Sequence, residues 1–249
     1  MKRLMLLLLA ASLIMTACQT TTTMRVMSYN VRNCTGLDGQ NSCERIAAII
    51  TRENVEAIAL QELDSMTRRY PGQDMLKNLA ELTGMHPTFG ASIDFMGGKY
   101  GVGILTKQKP LSWKRIPLPC RSEPRSLLVV ELEDYYFCST HLSLHADNRL
   151  ESAEIISEEL SKLDKPVIIA GDFNATPDEE SIQRLTTSFH FASSAEKYTF
   201  PADKPDIEID YIGIAHAQAK DIATTAYVVN APVESDHRPL VSEVKFKRR

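Results

Sequence analysis

Short apolar runs, separated by loops and amphipathic segments, predict a protein of alternating strands and helices. Arg25–Tyr29 alternates apolar and polar residues as a half-buried strand does, and Val55–Leu60 and Pro166–Ala170 are typical of buried strands. Ser126–Leu132 and Tyr135–Thr140 flank a two-residue acidic turn, which predicts a β-hairpin. The sheet structure is therefore at least partly antiparallel.

Three segments have the apolar spacing of amphipathic helices: Glu44–Glu53, Asp74–Leu82 and Arg149–Leu163. Thr176–Glu179 has the pattern of a capping box with proline at the first helical position, so a further helix is expected to start there. The remaining predicted strands are Gly103–Thr106, Glu208–Ile214, Thr224–Val229 and Leu240–Phe246. The whole pattern predicts an α/β fold in which two mixed β-sheets pack face to face with helices outside.

The composition is that of an ordinary globular chain, with 43% hydrophobic and 24% charged residues among 249. After the leader described below, this length predicts a single domain over 24–249. The formal net charge is −4, and it becomes −6 without Lys2 and Arg3. Basic residues form no long stripe of the kind that holds nucleic acid, which argues modestly against tight binding to DNA.

The first 17 residues have the features of an export signal, with Lys2 and Arg3 before the apolar run Leu4–Leu9. Cys18 directly follows Thr16-Ala17, which resembles the lipobox of bacterial lipoproteins, where that cysteine is lipidated. We therefore expect a lipoprotein signal peptide over 1–17, a lipid anchor at Cys18 and a tether over 18–23, on the outer membrane of a Gram-negative cell. The alternative is a plain secretory signal with an incidental cysteine.

Four further cysteines follow Cys18, and none of their spacings is typical of a zinc site. Cys34 and Cys43 flank a loop rich in glycine and aspartate, so a disulfide between them is plausible in an oxidising compartment. The alternative is that these two, with Cys120 and Cys138, are free buried thiols.

Acid, amide and imidazole side chains follow several of the predicted strands. Asn30, Glu62 and His141 each come directly after a strand, and Asp172 and Asn174 follow the run that ends at Ala170. Strand ends that meet at one edge of a sheet can build a single site from residues distant in sequence. Oxygen ligands together with histidines predict a hard divalent cation that acts on a phosphate. For Asp172 and Asn174, the alternative is an ordinary turn.

The C-terminal part adds a second cluster. Asp236 supplies another anionic ligand, and the adjacent His237 could bind a phosphoryl oxygen or transfer a proton. Asp210 lies among isoleucines, so its buried carboxylate needs a donor, and we expect pairing with His237 that raises the imidazole pKa. His141 could stabilise a phosphate or protonate a leaving oxygen.

These residues, in this order, resemble the endonuclease/exonuclease/phosphatase family, whose members are similar to deoxyribonuclease I. The stretches that carry the resemblance are 28–31, 61–64, 100–106, 140–142, 171–174, 209–211 and 235–239. The resemblance implies a four-layer α/β sandwich and a Mg²⁺-dependent phosphohydrolase, with Mn²⁺ or Ca²⁺ as other candidate ions. It implies that Glu62 is the principal metal ligand with Asn30 and Asp236 nearby, and that Asp172 activates the attacking water.

The resemblance further implies that Asn174 positions this water or the phosphate, and that His237, held by Asp210, contacts the phosphate. His141 resembles the second histidine of the deoxyribonuclease-like branch. The stretches 61–69, 83–86 and 199–202 are similar to a bacterial metal-dependent hydrolase branch with diverse substrates. Arg69, Tyr100 and Arg125 are candidate substrate contacts on this basis, and a surface role for each arginine is the alternative.

The leading hypothesis is an envelope-anchored, monomeric phosphohydrolase that cleaves a phosphodiester or phosphomonoester of a small molecule or a phospholipid headgroup. The acidic balance disfavours long duplex DNA, and a secreted or anchored nuclease acting on DNA or RNA is the second hypothesis. A catalytically inactive binding module is the third. It predicts the loss of Glu62, Asp172, Asp236 or His237, and all four are present.

Overall fold

The computed structural model describes residues 21–192 and 197–248. The expected signal peptide over 1–17 and Cys18 lie outside the described residues. The helices are α1 (Cys43–Glu53), α2 (Met75–Thr83), α3 (Ala146–Ser161) and α4 (Glu180–Thr186). The strands are β1 (Thr21–Asn30), β2 (Ala57–Ser65), β3 (His86–Phe95), β4 (Gly98–Thr106), β5 (Ser112–Leu118), β6 (Arg125–Glu131), β7 (Tyr136–His141), β8 (Val167–Asp172), β9 (Phe189–Phe191), β10 (Asp210–Ala215), β11 (Ala219–Val228) and β12 (Leu240–Arg248).

Within these residues the strands form two six-stranded mixed sheets. The first has the order β11-β12-β1-β2-β4-β3 and the second has the order β5-β6-β7-β8-β10-β9. In each sheet the parallel pair is central, β1 with β2 and β7 with β8, and the other neighbours are antiparallel. The predicted hairpin of β6 and β7 is confirmed.

Three apolar clusters separate four layers. One cluster, which includes Val26, Ala59, Phe137 and Ile168, fills the space between the two sheets. A second lies between the first sheet and α1 and α2, and a third lies between the second sheet and α3 and α4. The expected four-layer α/β sandwich is therefore confirmed. None of the helices in the described part of the chain is long and apolar enough to cross a membrane.

Several element boundaries differ from those predicted. The tether was expected to reach residue 23, but Thr21–Thr23 extend β1 and pair with β12. The helix expected to start within Thr176–Glu179 begins instead at Glu180. The Glu179 carboxylate accepts a hydrogen bond from the Thr176 backbone N–H, so the capping-box contact forms around a turn that precedes the helix.

Cys34 and Cys43 form a disulfide, which decides between the two alternatives drawn from sequence. Cys120 and Cys138 are free thiols, and Cys138 is buried. The bridge ties α1 to a turn in which Arg32, Asn33 and Cys34 have φ values of 45°, 43° and 52°. Three consecutive left-handed residues other than glycine are unfavourable, so the disulfide restrains a strained turn at the end of β1.

Candidate active site

Four of the predicted residues lie at neighbouring strand ends. In the second sheet, Asp172 at the end of β8 is directly opposite His141 of β7 on one side and Asp210 of β10 on the other. Asn30 ends β1 in the first sheet, and its Nδ2 donates to Asp172 Oδ2 across the sandwich at 3.1 Å. The register of the two sheets therefore brings these side chains together.

Glu62 reaches the same place through a β-bulge. The pairing of β2 with β4 shifts between Leu60 and Leu63, and Glu62 has a left-handed φ of 60°. Its Oε1 accepts a hydrogen bond from Asn30 Nδ2 at 3.1 Å, so one amide group joins Glu62 to Asp172. Burial raises the pKa of Glu62, and the nearby Asp236 carboxylate raises it further.

His237 forms the predicted pair with Asp210. Its Nδ1 lies 2.9 Å from Asp210 Oδ2, which also accepts a hydrogen bond from the Thr199 hydroxyl at 2.5 Å. Burial opposes a charge on the ring, but the carboxylates of Asp210 and Asp172 outweigh it and raise the pKa of His237 to about 10. The ring is therefore an imidazolium at neutral pH, as the sequence predicted for this pairing.

Asp172 has the properties of a base that works near neutral pH. Its Oδ2 lies 3.6 Å from His237 Nε2 and 3.4 Å from His141 Nε2, and its Oδ1 accepts from the Asn174 backbone N–H at 2.9 Å. Burial raises the pKa of Asp172 to about 7, against the opposing effect of the charged His237. A carboxylate with a pKa near the working pH is suited to general-base catalysis.

His141 is held by Arg125. Arg125 Nη1 donates to His141 Nδ1 at 3.2 Å, so a neutral ring carries its proton on Nε2, the nitrogen nearest Asp172. Burial lowers the pKa of His141 well below its usual value, and the charges of Arg125 and His237 lower it further. A neutral His141 fits the stabilisation of a phosphate better than the protonation of a leaving oxygen.

The structure gives the other predicted residues particular neighbours. Asn174 has a left-handed φ of 49°, and its Nδ2 donates to the Leu142 carbonyl, which ties the loop after β8 to the loop after β7. Asp236 is about one-third exposed, and its Oδ2 lies 3.6 Å from Arg32 Nε. Arg125 is buried and donates to Glu123 as well as to His141, so contact with a substrate stays a prediction.

Arg69 and Tyr100 lie beside this centre. They line a cavity of about 110 Å³ together with Asn33, Glu62, Phe95 and Glu123, which we term the side cavity. Burial, with the carboxylates of Glu62 and Glu123, raises the pKa of Tyr100, so its hydroxyl remains a donor. Asn33 and Glu123 lie between strands. They were not predicted as site residues, because no sequence pattern marks them as functional.

Two groups of residues could hold a cation. Asp172, Asp210 and His237 have ligand atoms within 4.8 Å of one another. However, a ring with a raised pKa that already faces two carboxylates has no lone pair to offer a metal. Glu62 fits better, because no described residue hydrogen-bonds its Oε2, and a cation shared with Asp236 would relieve the cost of burying its charge.

Comparison with known proteins supports the interpretation of this centre. The sequence matches the profile of the Endonuclease/Exonuclease/phosphatase family over residues 27–239. The chain belongs to this family. Members of the family are metal-dependent phosphoester hydrolases, and the matched region contains every predicted site residue other than Cys18. A search of curated proteins finds no match to this sequence.

Solved structures share its fold at low sequence identity. A functionally unknown conserved protein from Enterococcus faecalis V583 superimposes with a TM-score of 0.74 at 22% identity, covering 89% of this chain and 99% of that one. A mannosyl-6-phosphatase from Bacteroides thetaiotaomicron VPI-5482 gives 0.72 at 17% identity, covering 89% and 99%. Humanized D. rerio TDP2 gives 0.71 at 16% identity, covering 90% and 98%. At these identities the likeness establishes the fold alone.

Proposed function

We propose that this family member is a Mg²⁺-dependent hydrolase that cleaves a phosphoester of a small phosphorylated molecule by in-line attack of water. The observation that carries the proposal is the network in which Asn30 joins Glu62 to Asp172, and Asp172 in turn faces His141 and His237. It combines an acidic residue suited to a metal, a base and two imidazole donors within one buried cluster.

Each residue has a role that its contacts support. Glu62 and Asp236, with Asn30 beside them, would hold the cation, which supplies charge neutralisation at the phosphoryl oxygens. Asp172 accepts the proton of the attacking water, since its pKa is about 7. His237, charged and fixed by Asp210, donates Nε2–H to a phosphoryl oxygen, and neutral His141 donates a second N–H from the opposite side.

The test is hydrolysis of p-nitrophenyl phosphate, bis-p-nitrophenyl phosphate and plasmid DNA by the purified protein with Mg²⁺, Mn²⁺, Ca²⁺ or EDTA. We expect metal-dependent turnover that falls by about 10²- to 10⁴-fold in Asp172→Asn, the usual contribution of a general base. Asp178→Asn is the matched control, because Asp178 is an exposed acid in the same loop region whose carboxylate hydrogen-bonds only Thr176 among the described side chains. Equal activity of Asp172→Asn and wild type would contradict the proposed mechanism.

The same assay separates the competing hypotheses. Plasmid cleavage that exceeds turnover of the small esters would favour the nuclease. Absence of turnover on all three substrates, together with intact folding, would favour the inactive binding module. The sequence has no basic stripe that would hold a nucleic-acid backbone, so we retain the small phosphoester as the leading substrate class.

We also propose that the protein is a monomer attached to the envelope through lipid on Cys18. Thr21 begins β1 at the end of the sheet opposite Asn30, so the site lies about 30 Å from the point at which the anchor would join. The site would then lie at the end of β1 farther along the chain from the lipid, which favours a soluble substrate over a headgroup of that membrane. Incorporation of labelled palmitate into wild type but not into Cys18→Ala would support the anchor. Labelling of both proteins, or of neither, would contradict it.

A further inference from the structure

The side cavity opens directly beside the candidate active site, because Glu62 belongs to both. Its volume of about 110 Å³ is small compared with about 300–1,000 Å³ for a whole small-molecule site. It is therefore suited to one group of a substrate whose phosphate is bound by the catalytic residues. The chemistry of its walls indicates which group that is.

Arg69 is fixed in the wall of the cavity before any ligand binds. Its Nε and Nη2 donate to the fully buried Asp64 carboxylate at 2.5 and 3.2 Å. The guanidinium also lies over the rings of Phe95 and Tyr100, at 4.9 and 5.7 Å from their centroids. No described residue hydrogen-bonds its Nη1. The Nη1 amino group therefore remains oriented for a ligand at little cost in side-chain entropy.

Other polar atoms around the cavity also lack protein partners. Neither the Tyr100 hydroxyl nor the Asn33 Nδ2 is hydrogen-bonded by any residue in 21–192 or 197–248, whereas the Asn33 Oδ1 accepts from Thr35. Glu123 accepts from Arg125 with Oε1, and no described residue hydrogen-bonds its Oε2. The wall thus presents both donors and an acceptor, which is the mixture that alcohol groups can satisfy.

The charges in and around the cavity disfavour a second anionic group. Arg69 is paired with Asp64, Arg125 is paired with Glu123, and Glu62 adds a further carboxylate. Arg69, the cation among the lining residues, is thus already paired with a carboxylate and is not free for a second phosphate. The Arg69 guanidinium lies over the Phe95 and Tyr100 rings, where it takes the place of an ammonium group in a cation–π contact.

We propose that the side cavity is a specificity subsite for a neutral, hydroxyl-bearing group, so that the substrate is a phosphorylated sugar or polyol. Arg69, Tyr100 and Asn33 donate to its hydroxyl oxygens, and Glu123 accepts from a hydroxyl. The inference rests on the proposed function, since it places the substrate phosphate at the catalytic residues.

The kinetic test compares kcat/KM for mannose 6-phosphate, glucose 6-phosphate and glycerol 3-phosphate with that for fructose 1,6-bisphosphate, adenosine 5′-monophosphate and p-nitrophenyl phosphate. We expect at least one sugar or polyol monophosphate to exceed p-nitrophenyl phosphate by about tenfold or more. A preference for the bisphosphate or the nucleotide would overturn the inference, as would equal values for all six compounds.

Two variants examine the subsite itself. Tyr100→Phe removes one donor and Glu123→Gln removes a charged acceptor, and each is expected to lower the ratio of sugar phosphate to p-nitrophenyl phosphate kcat/KM by about 3- to 10-fold. Tyr227→Phe is the matched control, because its hydroxyl bonds Glu53 on the far side of the first sheet. An unchanged ratio in both subsite variants would overturn the inference.

Binding measurements distinguish the proposed subsite from the proposed hydrolase activity if no substrate is turned over. Calorimetry of mannose 6-phosphate, glucose 6-phosphate and inorganic phosphate is done on Asp172→Asn, with and without Tyr100→Phe. Tighter binding of a sugar phosphate than of inorganic phosphate, weakened by Tyr100→Phe, would support the subsite even if hydrolysis failed. Equal binding of sugar phosphates and inorganic phosphate would overturn it.

Discussion

The pair formed by Asp210 and His237 allows a prediction whose size follows from the structure. The perturbation is Asp210→Asn, which keeps the shape of the side chain and a hydrogen-bonding group near Thr199 but removes the charge 2.9 Å from His237 Nδ1. Because His237 is buried, loss of this charge leaves the unfavourable desolvation of the imidazolium less compensated.

The expected change in pKa can be bounded. The rise in the His237 pKa from 6.5 to about 10 corresponds to about 5 kcal/mol in favour of the charged ring. A single adjacent opposite charge contributes about 1–3 pKa units, and Asp172 remains in the variant. We therefore expect the pKa of His237 in Asp210→Asn to be about 7–9.

The assay is an NMR titration of the His237 ring in metal-free protein, assigned with a His237→Gln sample. The wild-type ring is expected to stay charged until about pH 10, whereas the variant titrates earlier. Asp206→Asn is the control, because Asp206 is exposed and its carboxylate contacts no described side chain. An identical titration in wild type and Asp210→Asn, or a wild-type pKa near 6.5, would refute the reasoning.

The same change has a defined effect on stability. A histidine whose folded pKa is raised contributes stability that is fully present below the unfolded pKa of about 6.5 and is lost as the pH rises through the folded value. Asp210→Asn should therefore lower the free energy of unfolding by about 1.4–4 kcal/mol below pH 6.5. The difference from wild type should close above about pH 10, and urea unfolding across this range measures it. A difference that does not depend on pH would indicate lost packing instead.

Three further predictions concern the disulfide, the metal and the pH profile. Cys34→Ala/Cys43→Ala should lower the free energy of unfolding by about 2.6 kcal/mol for a sequence separation of 9, measured in urea. Reductant should lower the stability of wild type and of Cys120→Ala, which keeps the bridge, and should leave that of the double variant unchanged. Glu62→Gln should abolish Mg²⁺ binding in calorimetry. It should not lower the melting temperature of the metal-free protein, because it removes a buried charge. An unchanged Kd for Mg²⁺ would argue against Glu62 as a ligand. Because the pKa of Asp172 is about 7, activity should rise with pH through neutrality, and bound metal should shift the midpoint of this rise to lower pH. A flat activity profile from pH 5 to 8 would argue against Asp172 as the base.

The sequence was most informative where hydrophobic alternation was strong. The apolar patterns predicted all four central strands, β1, β2, β7 and β8, and the hairpin of β6 and β7. The sequence analysis missed β3, β5 and β9, which lie at sheet edges. β3 and β5 have many exposed or half-buried residues, and β9 has only three residues. An edge strand that buries little has weak hydrophobic periodicity, whereas the edge strand β11 alternates regularly and was predicted.

The side cavity shows where sequence reasoning ends. Asn33 lies in the strained turn after β1, and Glu123 lies in the connection between β5 and β6. Neither position has a periodic neighbour or a turn signature that marks it as functional. Their proximity depends on how two separate loops pack against the start of β4, which is a tertiary property that no local pattern encodes.

The placement of the candidate active site follows from the alternation of side chains between the two faces of each strand, with one exception. In β8, Ile168 and Ala170 face the other sheet whereas Val167 and Ile169 face the helices, so Asp172 continues the face between the sheets. Asn30 and His141 end β1 and β7, and Asp210 begins β10. All three follow the same alternation, so a correct set of strands was enough to predict these residues.

Glu62 breaks this rule in a way that only the structure reveals. Ile58 and Leu60 of β2 pack on the helix side, so strict alternation would send Glu62 to that side too. Leu63 packs there instead, because the bulge between Leu60 and Leu63 inserts an extra residue and turns Glu62 towards Asn30. The left-handed backbone of Glu62 is thus the structural cost of bringing a carboxylate from the helix side of one sheet into the space between the two.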